Sequence, residues 1–171
     1  AAALLMLTPW NRERILVDPF CGSGTFPIEA AMMAAGIAPG MNRSFQAQAW
    51  DNLVSPRLWR EAVEEAREQI DWKAETDIQG YDADGAIVKA ARENARAAGV
   101  DHLIHFQQRE VAKLSHPKKY GFLVTNPPSG ERLEEKEALP QLYRQIGEAY
   151  ARLDSWSMYL ITAYEHAVRD M

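Results

Sequence analysis

The chain has 171 residues, 47% of them hydrophobic and 25% charged, enough apolar side chain to bury the core of one globular domain. Its net charge of -5 excludes a domain that grips nucleic acid through a broad basic face, and its single cysteine excludes an internal disulfide and suits a reducing, cytoplasmic setting. No apolar run is long enough to span a bilayer, so no membrane partner is expected, and one cysteine with four scattered histidines offers no metal constellation.

Ala1 to Leu7 reads as an apolar helical run that Pro9 stops. No cap precedes it, so this end is expected to be cut from a longer protein. Arg14 to Asp18 is a first strand, with Ile15, Leu16 and Val17 suited to the buried middle of a parallel sheet. Directly after it comes Asp18-Pro19-Phe20-Cys21-Gly22-Ser23-Gly24-Thr25, and then a small-residue helix from Thr25 to Ala35 closed by Gly36. Two glycines on a strand-to-helix turn let the backbone approach a ligand, and the helix start aims free N–H groups at it. The stretch lacks the Gly-Lys-Ser/Thr ending of a phosphate loop and the third glycine of the dinucleotide fingerprint. An acid at the strand end, Asp18, suits a cationic ligand instead. Cys21 has no neighbouring base and is expected to pack rather than attack.

Ile37 to Arg43 is turn-rich, and Ser44 to Leu53 carries Phe45 and Trp50. Ser55 and Pro56 mark the start of an inserted helix with Leu58, Ala62, Val63, Ala66 and Ile70 on one apolar face. Its Glu61, Glu64, Glu65, Arg67 and Glu68 read as a solvated face. Ile78 to Asp82 is the second strand. Asp84 caps a helix from Gly85 to Ala98, with Ile87, Val88, Ala91, Ala95 and Ala98 on one side, which leaves Asp82 to accept the hydroxyls of a ribose. Leu103 to Gln107 is the third strand, and Tyr120 to Thr125 the fourth.

The fourth strand ends in Asn126-Pro127-Pro128-Ser129-Gly130. Two prolines cannot continue a ladder, so they hold the Asn126 side chain and the Pro127 carbonyl as fixed acceptors for the two hydrogens of an amino group on a planar system. Glu134 to Glu137 reads as a mobile loop, Leu139 to Leu153 as an amphipathic helix carrying Leu142, Ile146, Ala149, Tyr150 and Leu153, and Ser157 to Ala163 as the fifth strand. The expected fold is α/β and doubly wound, a mainly parallel sheet with helices on both faces.

The glycine stretch resembles the first motif of the class I methyltransferases that use S-adenosyl-L-methionine, with a Rossmann-like fold. The Asn-Pro-Pro motif is similar to that of enzymes that methylate the amino nitrogens of adenine, guanine or glutamine. Taken with Ala38-Pro39-Gly40-Met41-Asn42-Arg43, Gly80-Tyr81-Asp82-Ala83-Asp84 and Thr125-Asn126-Pro127-Pro128-Ser129-Gly130-Glu131-Arg132-Leu133, they resemble the bacterial 23S ribosomal RNA guanine-N2 methyltransferases that carry an N-terminal THUMP domain. These are often labelled N6-adenine-specific DNA methylases. The resemblance implies that the whole chain, residues 1–171, is a catalytic-domain fragment, truncated at both ends, whose THUMP RNA-binding domain and terminal hairpin lie outside it. It implies that Asp18, Phe20, Cys21, Gly22, Ser23, Gly24, Thr25, Asp82, Ala83, Glu110 and Asn126 hold the cofactor, Glu110 at the adenine amino group. Asn126, Pro127 and Pro128 then hold the target amine, and 23S ribosomal RNA is the partner. Ser129 departs from the pattern, because an aromatic residue usually stands there to stack on the substrate. Either Tyr143 or a ring from another segment replaces it, or activity is lower. Arg43 and Arg132 are candidate phosphate contacts or ordinary surface arginines. Rival readings are an adenine-N6 methyltransferase on DNA or RNA, a protein glutamine-N5 methyltransferase and a non-catalytic cofactor- or RNA-binding module.

Overall fold

The computed structural model describes residues 1–130 and 133–171, the side chains of 133–135 excepted. Strands β1 (Leu16–Asp18), β2 (Ile78–Asp82), β3 (Ile104–Gln108), β4 (Phe122–Thr125) and β5 (Ser157–Leu160) form one sheet in the order β3-β2-β1-β4-β5. Every pairing is parallel, with Leu16 of β1 opposite Ile78 on one side and Phe122 on the other. The expected class I, Rossmann-like fold is therefore present. Because the order reverses at β1, the crevice over the carboxyl ends of β1, β2 and β4 is where such a sheet binds ligands.

The central strand is buried on both faces, and its side chains alternate between two cores. Leu16 joins Ile78, Val88, Ala91, Ala95 and Phe106 beneath α2 (Thr25–Ala34) and α4 (Gly85–Ala97), with Leu5 of α1 (Ala2–Met6) at the margin. Val17 joins Tyr81, Leu123, Tyr143, Ile146 and Ala149 beneath α5 (Leu133–Ala151). Each of the larger side chains contributes about 1.5–3 kcal/mol by leaving water. The inserted helix α3 (Pro56–Glu68) is capped by Ser55, whose Oγ accepts from the Leu58 N–H at 3.4 Å, but it buries none of its residues. It stands outside the layered core, and Leu58, placed on its apolar face, is 52% exposed.

Several boundaries differ from the sequence reading. β1 begins at Leu16, because the Arg14 N–H is spent closing a turn on the Asn11 carbonyl. β4 begins at Phe122: Tyr120 has φ 59°, and Gly121 lies so close under the Trp156 indole that a Cβ there would sit 2.5 Å from the ring. The segment Glu134–Glu137 is not a loop, since α5 starts at Leu133 and runs through Pro140. A proline inside a helix removes one backbone bond, but Leu139 and Tyr143, 2% and 0% exposed, anchor the turn on either side of it. β5 ends at Leu160, and the chain then turns into α6 (Ala167–Asp170), which packs against α5. Arg132 lies outside the described residues. Among the described residues no helix is long and apolar enough to cross a membrane, and no group of three or more metal-ligating side chains forms.

Candidate active site

The turn after β1 is held by the strands beside it. The Cys21 N–H donates to the Tyr81 carbonyl at 2.8 Å, and the Gly22 N–H donates to Asp82 Oδ2 at 3.2 Å. Both glycines are left-handed, but for different reasons. Gly24, at φ 90°, packs inward: a Cβ there would press on Phe106, Ala91 and Ile28 at 3.1–3.2 Å. Gly22, at φ 53°, faces open space, with nothing within 4 Å of where its Cβ would lie. Gly24 thus shapes the turn, while Gly22 gives a ligand room to approach the backbone.

Asp82 lies at the rim. Its Oδ1 accepts from the Asp84 N–H at 3.0 Å, and Asp84 in turn caps α4 through the Ala86 N–H at 2.8 Å. Two carboxylate oxygens offer about four acceptor directions, so Asp82 keeps capacity for hydroxyl groups after these two bonds.

Asp18 lies below the rim and is 1% exposed. Its Oδ1 accepts from the Thr125 hydroxyl at 2.6 Å and from the Phe20 N–H at 3.1 Å, so it ties the glycine turn to the end of β4. Its other oxygen is buried without a partner among the described residues. Burial, reinforced by the charge of Asp82, raises the carboxyl to about 7 despite those two hydrogen bonds.

Asn126 is exposed where β4 stops, and Pro127 beside it is buried. The next carbonyl, of Pro128, accepts from the Tyr143 hydroxyl at 3.2 Å, and Thr162 backs the same hydroxyl. That carbonyl is therefore engaged inside the protein, while the Asn126 side chain and Pro127 stand beside it in the cleft. Tyr143 is fully buried in the α5 core, so it does not supply the ring that Ser129 lacks. It holds the proline turn from behind instead.

These elements enclose one cleft of about 740 Å³, within the range of small-ligand sites. Phe20, Gly22, Asp82 and Ala83 line it from β1 and β2, Asn126, Pro127, Pro128, Ser129 and Gly130 from β4, and Ile87 and Leu142 from the flanking helices. A second hollow of about 480 Å³ shares Ala83 and contains Gln108, Arg109 and Glu110. Glu110 is exposed and paired with Lys113 at 3.1 Å. Gln108 Nε2 donates to the Ala83 carbonyl at 2.8 Å and so braces the junction of the two hollows.

Six of the residues expected to hold the cofactor are absent from the lining of this cleft: Asp18 lies below it, Gly24 packs inward, Glu110 lines the second hollow, and Cys21, Ser23 and Thr25 lie to the side. Cys21 is 5% exposed, and burial, with Asp18 and Asp82 nearby, pushes its thiol above its ordinary value and so disfavours the thiolate. Ser23 and Thr25 are exposed, their hydroxyls 3.4 Å apart, and the Ser23 carbonyl accepts from Asn94. Sequence reasoning missed Thr125, the one polar residue in β4, and Ile87, assigned to the packed side of α4 but 39% exposed in the cleft. A hydroxyl ending an otherwise apolar strand was the available signal for Thr125.

A family profile described as UPF0020, the RMKL-like methyltransferase domain, matches residues 1–170. The chain is 43% identical over 166 residues to YpsC of Bacillus subtilis, a candidate RNA methyltransferase by its name, covering 97% of this chain and 43% of that protein. It is 39% identical over 169 residues to the ribosomal RNA large subunit methyltransferase K/L of Shewanella woodyi, covering 95% of this chain and 24% of that one. Among solved structures, SMU.472, a candidate methyltransferase crystallised with S-adenosylhomocysteine, superposes with a TM-score of 0.93 at 40% identity, over 99% of this chain and 45% of that one. The chain spans under half the length of each of these relatives.

Proposed function

Because the chain belongs to the RMKL-like methyltransferase domain family, we propose that it is the catalytic domain of an enzyme that methylates the exocyclic N2 amine of guanine in 23S ribosomal RNA. The cofactor is S-adenosyl-L-methionine, which supplies a methyl group already activated by its sulfonium. The residues fit it: the backbone at Gly22 is bare, Asp82 has spare acceptor capacity beside it, and Ala83 joins this space to the hollow with Glu110.

Asp18 and Thr125 fix the glycine turn relative to the end of β4, so the spacing between cofactor and acceptor is built into the sheet. Asn126 and the Pro127 carbonyl take the two hydrogens of the target amine, turning its lone pair toward the cofactor side of the cleft. Tyr143 prevents the proline turn from rotating away. Phe20, Ile87 and Leu142 wall the cleft with apolar surface. An already activated methyl group needs position and desolvation more than a strong base. The rest of the RNA grip we assign to a THUMP domain of the full-length protein.

The observation that carries this reading is the presence of Asn126 in the same cleft as Gly22 and Asp82. Mass spectrometry of nucleosides after incubating the protein with S-adenosyl-L-methionine and undermethylated ribosomal RNA tests it. N2-methylguanosine is the expected product. N6-methyladenosine, or methyl transfer only to a glutamine of a release factor, would replace the guanine assignment.

A further inference from the structure

A second cleft, of about 520 Å³, lies between the 38–48 loop and α3 and shares no residue with the active-site cleft. Its floor is apolar and aromatic. Phe45 and Trp59 pack together with ring centroids 5.9 Å apart and their planes tilted by 54°, and Val63 continues the surface one turn along the helix. The Phe45 ring rests against Gly40: a Cβ there would lie 2.6 Å from it, and Gly40 holds φ 82°. The Arg43 guanidinium stacks on the same ring at 4.6 Å from its centroid.

The rim of this cleft is positive in a protein of net charge -5. Arg43, Arg60 and Arg67 line it against one carboxylate, Glu64. The other three acids of α3 are not in the lining, and Glu61 is turned to Arg57 in an ion pair at 3.6 Å. Rings that accept a base on their faces, beside guanidinium groups spaced along one edge, are the combination that binds a single nucleic acid strand without reading its sequence. This also gives Arg43 and Phe45 a purpose that the methyl-transfer site does not.

We propose that this cleft binds a single-stranded RNA segment, a base packing against the aromatic pair of Phe45 and Trp59 and the phosphates meeting Arg43, Arg60 and Arg67. The proposal rests on the reading of the substrate as RNA. It gives the catalytic domain an RNA-binding surface of its own despite its negative charge.

The test is fluorescence anisotropy of a short fluorescein-labelled oligouridylate titrated with the protein, over a range of salt. Phe45→Ala should weaken binding roughly 5- to 150-fold, the range for removing one stacked base. The double variant R60A/R67A should lower the slope of log affinity against log salt by about 0.7 for each phosphate that is no longer neutralised. Arg57→Ala, on the ion-paired side of α3, should bind as the wild type does. S-adenosylhomocysteine affinity, measured by calorimetry on the same samples, should be unchanged throughout, which separates damage to the cleft from damage to the fold.

RNA affinity that is equal in wild type, Phe45→Ala and R60A/R67A overturns the proposal and leaves the cleft to a protein partner. Absence of any binding by the wild type overturns it as well, and so does a Phe45→Ala defect matched by an equal fall in S-adenosylhomocysteine affinity. None of these results touches the assignment of methyl transfer, which the nucleoside analysis decides separately.

Discussion

Asn126 has an unusual position for a polar side chain at the end of a buried strand: it is exposed in the cleft and makes no side-chain hydrogen bond among the described residues. Nothing in the fold uses it, so its removal should cost the fold little and the reaction much. Asn126→Ala should lower methyl transfer roughly 100-fold or more while S-adenosylhomocysteine affinity stays near that of the wild type. A variant that transfers methyl groups normally would remove Asn126 from the mechanism. Asp18 is the opposite case, a residue the fold uses at a cost. Its carboxyl stands at about 7 in the folded chain against 3.8 as its ordinary value, so between these pH values the native state holds a proton that the unfolded state has released. Stability from this group is therefore complete below about pH 4 and falls by roughly 1.4 kcal/mol per pH unit until the folded carboxyl ionises near pH 7. Asp18→Asn keeps an acceptor for Thr125 and the Phe20 N–H but cannot ionise. Its melting temperature relative to wild type should rise from about pH 5 to about pH 8, and a constant difference across that window would show that burial of the charge is not the cause.

The turn between β1 and α2 separates two uses of glycine, and two substitutions separate them experimentally. A left-handed residue other than glycine costs about 1–2 kcal/mol by itself. Gly22→Ala adds a methyl to open space, so the chain should fold with roughly that loss while S-adenosylhomocysteine binding fails, because the methyl occupies the ligand's approach. Gly24→Ala carries the same backbone cost and also drives a methyl into Phe106, Ala91 and Ile28, so it should be the more destabilised of the two in urea. The reverse order of stability would mean the two positions have been assigned each other's roles. This element was legible in the sequence because its backbone is defined locally, by an apolar strand, two glycines one residue apart and a helix; the bond from the Gly22 N–H to Asp82, 60 residues away, was not. α5 was less legible. Pro140 looks like a helix start, and only the burial of Leu139 and Tyr143 in the core they share with Leu123 and Ile146 explains why the helix continues N-terminal to it. Thr125 and Asp18 are 107 residues apart in sequence, and their bond depends on β4 lying next to β1, which local pattern does not reveal. The bracing role of Tyr143 is hidden from the sequence for the same reason: its neighbours Pro128 and Thr162 come from other elements.

At the scale of the molecule, the cleft draws on β1, β2 and β4 together, three neighbouring strands whose core residues pack into both faces of one sheet. A ligand bridging their ends is present only when the sheet is assembled, so it binds the native state and not the unfolded chain. Saturation with S-adenosylhomocysteine at about 100 times its dissociation constant should therefore add about 2.7 kcal/mol to the unfolding free energy. For a chain of this length that is a rise of roughly 5–10 °C in melting temperature. Asp82→Ala should abolish most of the rise without unfolding the chain, because Asp82 holds the Gly22 N–H and the rim of the site but sits outside both cores. The cleft beside α3 gives the control: Phe45→Ala alters a surface that the sheet does not share, so its melting temperature should respond to the ligand as the wild type does. A folded wild-type chain that melts at the same temperature with and without S-adenosylhomocysteine would place part of the cofactor site outside these residues. A response in Asp82→Ala as large as in the wild type would instead move the ribose contact away from β2, and the neighbouring hollow at Gln108 and Glu110 would be the place to look for it.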